Sequence, residues 1–358
     1  MPNTPHTMAV VDKKEVELFA ELLSHIDGEI YTLLRSAKIP NDILTSNDHY
    51  DYLPETTIKN VVKIMGESAS REEFSLFMWS FCKQTYVPRF VAKLNQQDSL
   101  KSALDQFSEQ LKLVSNGAHV YTKHAGGKWW FVREKPFTNA PWFKFAELFS
   151  VIFINELISV LTQGRWKPSE VGIQSDDLEC FQSLPQMGSA QFFTHRPVTA
   201  FEIPEAIMLE PIILPKAPPV LESSAPLPSS FLSAFKLVIK PYLTMGKLPI
   251  SLASEILNMH VRTIQRRLEQ EGVVYKTLIE EMVLEQVLEL LKQPDLSITQ
   301  VGAKMGYSDS SHFTRAFKRQ MNMTPRQYRK STANVGKQQS ISSSTKLSVR
   351  DPAITTPK

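Results

Sequence analysis

Ala253, Ser254, Leu257, Asn258 and Met259, followed by Ile264 and Leu268, recur about 48 positions later as Val301, Gly302, Met305, Gly306 and Tyr307, followed by Phe313 and Phe317. A pattern repeated within one chain is expected to build the same supersecondary unit twice. Each copy reads as a short helix with a small residue, a tight turn, and a longer helix rich in Arg and polar side chains. The small residue lets the second helix cross closely, and the outer face of that helix is then free to enter a DNA major groove. That is the layout of a helix-turn-helix. The helical stretch YKTLIEEMVLEQVLELLK joins the copies, so residues 231–330 are expected to form an all-α domain with two such motifs and a linker helix.

In the second copy, Ser297 and Gln300 have the spacing of a capping box. Gly306 allows the turn, Tyr307 plugs the angle between the helices, and Ser308 or Asp309 caps the next helix, whose N-terminal dipole also suits a phosphate. Phe313 and Phe317, four apart, fall on the inner face. Ser310, Ser311, Thr314, Arg315 and Lys318 fall on the opposite face. The first copy places Ile264 and Leu268 inward and Arg262, Gln265 and Arg266 outward. Arg can grip guanine with two hydrogen bonds and Gln can do the same to adenine, each pair worth roughly 1 to 3 kcal/mol of discrimination. The plainer alternatives are a solvated charged face and, for the hydroxyls, helix capping. His312 is expected to pack at the motif edge.

Charge follows the same division. Of 40 Lys and Arg against 37 Asp and Glu in 358 residues, residues 231–330 hold 15 against 9 and residues 331–358 hold 4 against 1, which leaves everything before 231 with a balance of −6. A basic last third points to a polyanion partner for that part alone. Between the two regimes runs EPIILPKAPPVLESSAPLPSS, residues 210–230, whose six prolines make a semi-rigid extended linker. Residues 1–12 are expected to be flexible, and residues 331–358, without aromatics or period, a disordered tail.

Residues 13–209 read as a helix-rich α+β domain. Val16, Phe19, Leu22, Leu23 and Ile26 mark a first helix ending at Gly28, and further helices are expected at 56–66, 72–87, 99–114 and 143–162. HVYTK and WWFVRE flank HAGG as a hairpin, and AQFFTH with TAFEI suggests a second strand pair. The most apolar window, Phe145 to Leu161, carries Glu147, Asn155 and Glu156, which suits a buried helix better than a membrane span. Trp129, Trp130, Trp142 and Arg133 are the candidates for binding a small-molecule effector, with Phe131, Phe143, Phe145, His119 and His124 nearby. A helix-sheet core and exposed hairpin charges are the alternatives.

SITQVGAKMGYSDSSHFTRAFKRQMNMTPRQYRK, with RTIQRRLEQEG upstream, resembles the DNA-binding domain of AraC/XylS-type transcription regulators over residues 231–330, through Gly306-Tyr307, Phe313, Arg315 to Lys318, Thr324-Pro325 and Tyr328-Arg329. The resemblance implies a seven-helix unit. It also implies base contact by Arg262, Gln265 and Arg266 and by Ser310, Ser311, Thr314 and Arg315. RWKPSEVGIQSD and FFTHRPVTAFEIPEAIM are similar to the effector domain of the branch that includes ornithine-utilisation regulators. The expected protein is thus an effector-responsive, cytoplasmic regulator, usually an activator, that binds an operator duplex as a homodimer and works with RNA polymerase. Two residues depart from the family pattern: Val283 stands where the linker helix usually has Arg, and Gly302 where Ala is usual.

No GxSxG, Walker or HExxH spacing is present, and neither an enzyme activity nor a cofactor or metal is expected. Cys82 and Cys180 lie in no metal-ligand spacing and cannot form a disulfide framework, which suits a reducing compartment. The rival readings are a DNA alkylation-repair protein with a methyl-accepting cysteine, which needs an activated thiolate, and an architectural protein without sequence preference.

Overall fold

The computed structural model describes residues 8–26, 28–45, 50–95, 97–115, 117, 119–136, 139–184, 187–212, 214, 228–245 and 248–332. Most of the Pro-rich linker, residues 1–7 and the tail beyond 332 lie outside the described residues. The chain divides into two compact units, one of Met1–Val238 with Glu255–Met259, the other of Ile239–Ser254 with His260–Lys358. The helix Phe231–Ile239, expected with the C-terminal domain, thus groups mainly with the first unit.

In the first unit the helices are α1 (Lys13–Leu22), α2 (Ile30–Ser36), α3 (Thr56–Ser68), α4 (Arg71–Phe81), α5 (Val87–Val91), α6 (Leu100–Val114), α7 (Phe143–Leu161), α8 (Leu178–Gln182), α9 (Glu205–Met208) and α10 (Phe231–Ile239). A two-stranded ribbon pairs β1 (Val10–Asp12) with β2 (Tyr52–Pro54), antiparallel. The main sheet contains β3 (His119–Ala125), β4 (Lys128–Glu134), β5 (Glu170–Gly172), β6 (Gln191–Phe193) and β7 (Thr199–Ile203), in the order β3-β4-β7-β5-β6. The hairpin β3–β4 turns at Gly126 and Gly127, as the HAGG signal indicates. The second strand pair is not as expected: β6 runs parallel to β5, and β7 lies between β4 and β5, antiparallel to both. Strand β5 is only three residues long, too short to show an alternation, so the segment that separates β6 from β7 was not legible.

Helices α4 and α5 are joined by one turn of π-helix, Cys82–Tyr86. Pro88, at the start of α5, has no N–H to give to the preceding turn, and a widened turn there tolerates its ring. Helix α7 is the apolar centre of the unit. Its buried Glu147 carboxylate accepts from the Gln174 amide (2.7 Å), the Ser175 amide (2.9 Å) and the Thr199 hydroxyl (2.8 Å), and Glu156 accepts from the Trp79 indole at 2.8 Å. Hydrogen bonds of this kind make a buried carboxylate tolerable. Among the described residues no helix is long and apolar enough to cross a membrane.

The second unit is helical: the start of α11 (Ile250–Leu257, whose last three residues group with the first unit), α12 (Val261–Gln270), α13 (Tyr275–Lys292), α14 (Ile298–Lys304) and α15 (Ser310–Met321), with residues 325–332 helical again. Helix α13 buries Leu278, Ile279 and Met282 in its first half. With its second half it contributes Val287, Leu290 and Leu291 to a core shared with Val301, Met305, Phe313 and Phe317. Val283 packs on this same core, so the departure from Arg adds an apolar contact to the second motif.

Candidate nucleic-acid interface and ligand cavity

The second motif is assembled from short-range rules. Ser297 and Gln300 form the capping box, with the Gln300 amide donating to the Ser297 hydroxyl at 3.2 Å and the Ser297 amide to the Gln300 side chain at 2.8 Å. Gly306 makes the turn at φ 72°, and the Tyr307 ring sits 5.2 Å from that of Phe313. Gly302 is where α15 crosses: a Cβ placed there would stand 3.2 Å from the Phe313 ring. The missing methyl group therefore gives Phe313 its seat, which offsets the helix propensity that Gly forfeits. Arg329 donates from Nε to the Leu291 carbonyl at 3.0 Å, answering one of the orphan carbonyls at the end of α13.

Asp309, rather than Ser308, caps α15 by accepting from the His312 amide at 2.7 Å. That bond, and a weaker one from the Ser311 amide, hold its carboxyl below the usual carboxylate range. The N-terminus of α15 therefore already carries its own negative charge, and a phosphate there would be repelled.

The outward face is as the repeat implies. Arg262, Gln265, Arg266, Ser310, Ser311, Arg315 and Lys318 are exposed and Thr314 is half-buried. None of Arg262, Arg266, Arg315 and Lys318 forms an ion pair among the described residues. The Thr314 hydroxyl gives its hydrogen to the Ser310 carbonyl at 2.7 Å, so toward a base it offers only a lone pair and a methyl group. His312 packs edge-on to Tyr307, ring centres 5.7 Å apart.

The matching turn of the first copy is Asn258, at φ 48°. Ile264 and Leu268 are fully buried. Helix α12 begins at His260 with no side-chain cap. Tyr275, at the head of α13, donates its hydroxyl to the Leu248 carbonyl at 2.9 Å.

The first unit contains a partly open cavity of ≈ 160 Å³. Phe19, Tyr86, Phe149 and Phe153 form its aromatic wall, and its charged lining comprises Glu15, Glu55, Lys59, Arg133, Glu134 and Lys135, with His119 beside them. Of Trp129, Trp130, Trp142 and Arg133 only Arg133 lies on it, and of the two histidines near the hairpin His119 does. Trp129 packs on His124 (5.0 Å) beneath Lys101 (5.8 Å), Trp130 donates to the Ala125 carbonyl at 3.2 Å, and Trp142 lies under Lys59 and Lys135, at 4.9 and 5.7 Å. Spacing could not reveal the aromatic wall, because it comes from three separate helical segments. Two local signals were present, however. Glu15 stands four residues before Phe19 on the inner face of α1, and Arg133 stands two after the buried Phe131 on β4.

The polar groups are mostly paired. Glu55 takes Lys135 at 2.6 Å and Lys59 at 2.7 Å; although burial opposes ionisation, the two cations bring its carboxyl down to about 2, while burial brings Lys135 down to about 8. Glu15 accepts from Arg89 at 3.2 Å with one oxygen and leaves Oε2 without a partner. Burial raises its pKa.

Both cysteines are free thiols. Burial, then the Glu156 charge, pushes Cys82 well up, and Cys180 is pushed up to about 11 by burial and by its bond to Asp177.

Residues 253–331 match the family described as "Helix-turn-helix domain". The chain is 40% identical over 87 residues to HTH-type transcriptional regulator VirS of Mycobacterium tuberculosis, covering 24% of this chain and 26% of that protein. It is 32% identical over 77 residues to HTH-type transcriptional activator RhaS of Escherichia coli, covering 21% and 28%. It thus spans about a quarter of the length of these curated relatives. The crystal structure of transcriptional regulator CdpR from Pseudomonas aeruginosa aligns with 89% of this chain and 98% of its own at 15% identity, with a TM-score of 0.35.

Proposed function

We propose that the chain is a sequence-specific DNA-binding transcription regulator of the AraC/XylS type. Arg262, Gln265 and Arg266 on α12 and Ser310, Ser311, Thr314 and Arg315 on α15 would meet bases, while Lys318 meets the phosphate backbone. The observation that carries this reading is the pair of exposed faces on α12 and α15, on which Arg262, Arg266, Arg315 and Lys318 form no ion pair among the described residues, each behind a positive-φ turn and above a buried apolar pair. The match of residues 253–331 to a helix-turn-helix family supports it. Such side chains on an exposed helix face suit base edges and phosphates.

The first unit, in this reading, senses a small molecule and pairs two chains. A ligand that favours one placement of the two DNA-binding units would shift the population toward it and so engage RNA polymerase, most simply as an activator. The setting is the cytoplasm, which suits two unbridged thiols. The methyl-acceptor alternative finds no support at either cysteine, since both thiols are held protonated near neutral pH.

The test is affinity at fixed salt for the region upstream of its own operon against random duplex. The proposal predicts a preference of about 1000-fold or more; equal affinity would leave only the architectural alternative.

A further inference from the structure

We propose that the cavity of the first unit binds a small apolar monocarboxylate of about the size of benzoate, with its carboxylate on Arg133 and its body against Phe19, Phe149 and Phe153. The proposal deepens the regulator reading and rests on it for the consequence of binding, though not for the binding itself.

Arg133 sits on β4, inside the sheet, paired with Val120 of β3 and Thr199 of β7. It lines the cavity, forms no ion pair among the described residues, and leaves Nη1 without a hydrogen-bond partner. A guanidinium withdrawn from water without an anion is costly, and an unmet buried donor adds to that cost. The carboxylates nearest in the same region are already occupied. Glu55 serves two lysines, and Glu147 serves two backbone amides and a hydroxyl. Their charges stabilise Arg133 from a distance, against the burial that lowers its pKa. Arg133 is therefore a cation on the cavity wall without an ion-pair partner among the described residues.

The shape of the remaining space selects the anion. A guanidinium offers a planar fork that matches a carboxylate through two parallel hydrogen bonds. One side of the wall is apolar, including Ile58, Val62, Phe149 and Phe153, so the anion needs an apolar body. A cavity of about 150 Å³ has room for benzene, and this partly open one measures ≈ 160 Å³. Glu15, with an unpaired oxygen on the same wall, disfavours a second negative charge on the ligand.

The test is isothermal titration of the full chain, without DNA, with benzoate and with benzyl alcohol, its neutral near-isostere. Benzoate is expected to bind at least 10-fold more tightly. Arg133→Gln should lose at least 10-fold of the benzoate affinity and the preference with it. Ser150→Leu fills the cavity from α7, where the Ser150 hydroxyl donates to the Ala146 carbonyl of its own helix, and should abolish binding while leaving Arg133 in place. Thermal unfolding without ligand establishes that each variant is folded; if Arg133→Gln is not, the wild-type preference and Ser150→Leu decide. Equal affinity for the two probes, no heat from benzoate at millimolar concentration, or unchanged binding in Ser150→Leu would overturn the proposal. Because DNA is absent, that failure would leave the DNA-binding reading standing. Loss of sequence-specific DNA binding, conversely, would leave a confirmed benzoate site intact.

Discussion

The two copies of the repeat present similar faces but are held by different devices. In the second, a capping box starts α14, Asp309 caps α15, Asn322 ends α15 in the left-handed region at φ 55°, and Gly302 receives the Phe313 ring. In the first, α12 starts without a side-chain cap, and its inner face is the aliphatic pair Ile264 and Leu268. At the position of Gly302 stands Ser254, which is only half-buried. Local hydrogen bonds and one close aromatic contact define the second motif, while the first depends more on apolar burial. A shared sequence pattern therefore specifies the exposed face and leaves its support free to differ.

The largest effect expected from this contrast is at the crossing. Gly302→Val should destabilise the second unit by about 2 to 3 kcal/mol, because the added carbons have only the fully buried Phe313 ring to displace. Ser254→Ala should cost less than about 1 kcal/mol. Urea unfolding of the full chain checks both, and equal losses would mean that the two crossings are built alike.

Lys318→Ala should weaken binding to every duplex and lower the salt slope by about one, since it removes one phosphate contact. An unchanged slope would take Lys318 off the backbone. The smallest effect concerns the cap. The folded-state pKa of Asp309 is depressed, so its contribution is fully present above the ordinary Asp range and is lost as pH falls through the lower, folded value. Amide exchange at the start of α15 should then quicken at acid pH and in Asp309→Ala, with no matching change in α12. A matching change in α12 would erase the difference in capping.

Much of the second unit was legible because its determinants are local. Ser297 with Gln300, Gly306 and the Phe313–Phe317 spacing each act within four residues, the range over which periodicity and capping operate. The long helices of the first unit were legible for the same reason. The strand order was not, because pairing of β7 with β4 and β5 is a long-range choice that three-residue strands such as β5 do not advertise. The cavity was less legible still. Glu15, Glu55, Tyr86, Arg133 and Phe153 come from separate elements, and only the charge of Glu15 on an apolar helix face and of Arg133 beside Phe131 hinted at it. The Trp residues drew attention by type alone, yet they pack on Lys101, on the Ala125 carbonyl and beneath Lys59 and Lys135.

The central proposal is that α12 and α15 read different bases. Selection of bound sequences from random duplex, performed with the parent chain, Arg262→Ala and Arg315→Ala, tests it most directly. Each substitution should weaken binding by roughly 1 to 3 kcal/mol and relax the preference at its own base position, with the two positions about one helical turn, roughly 10 base pairs, apart. Relaxation at one shared position, or an unchanged preference in both variants, would contradict the account.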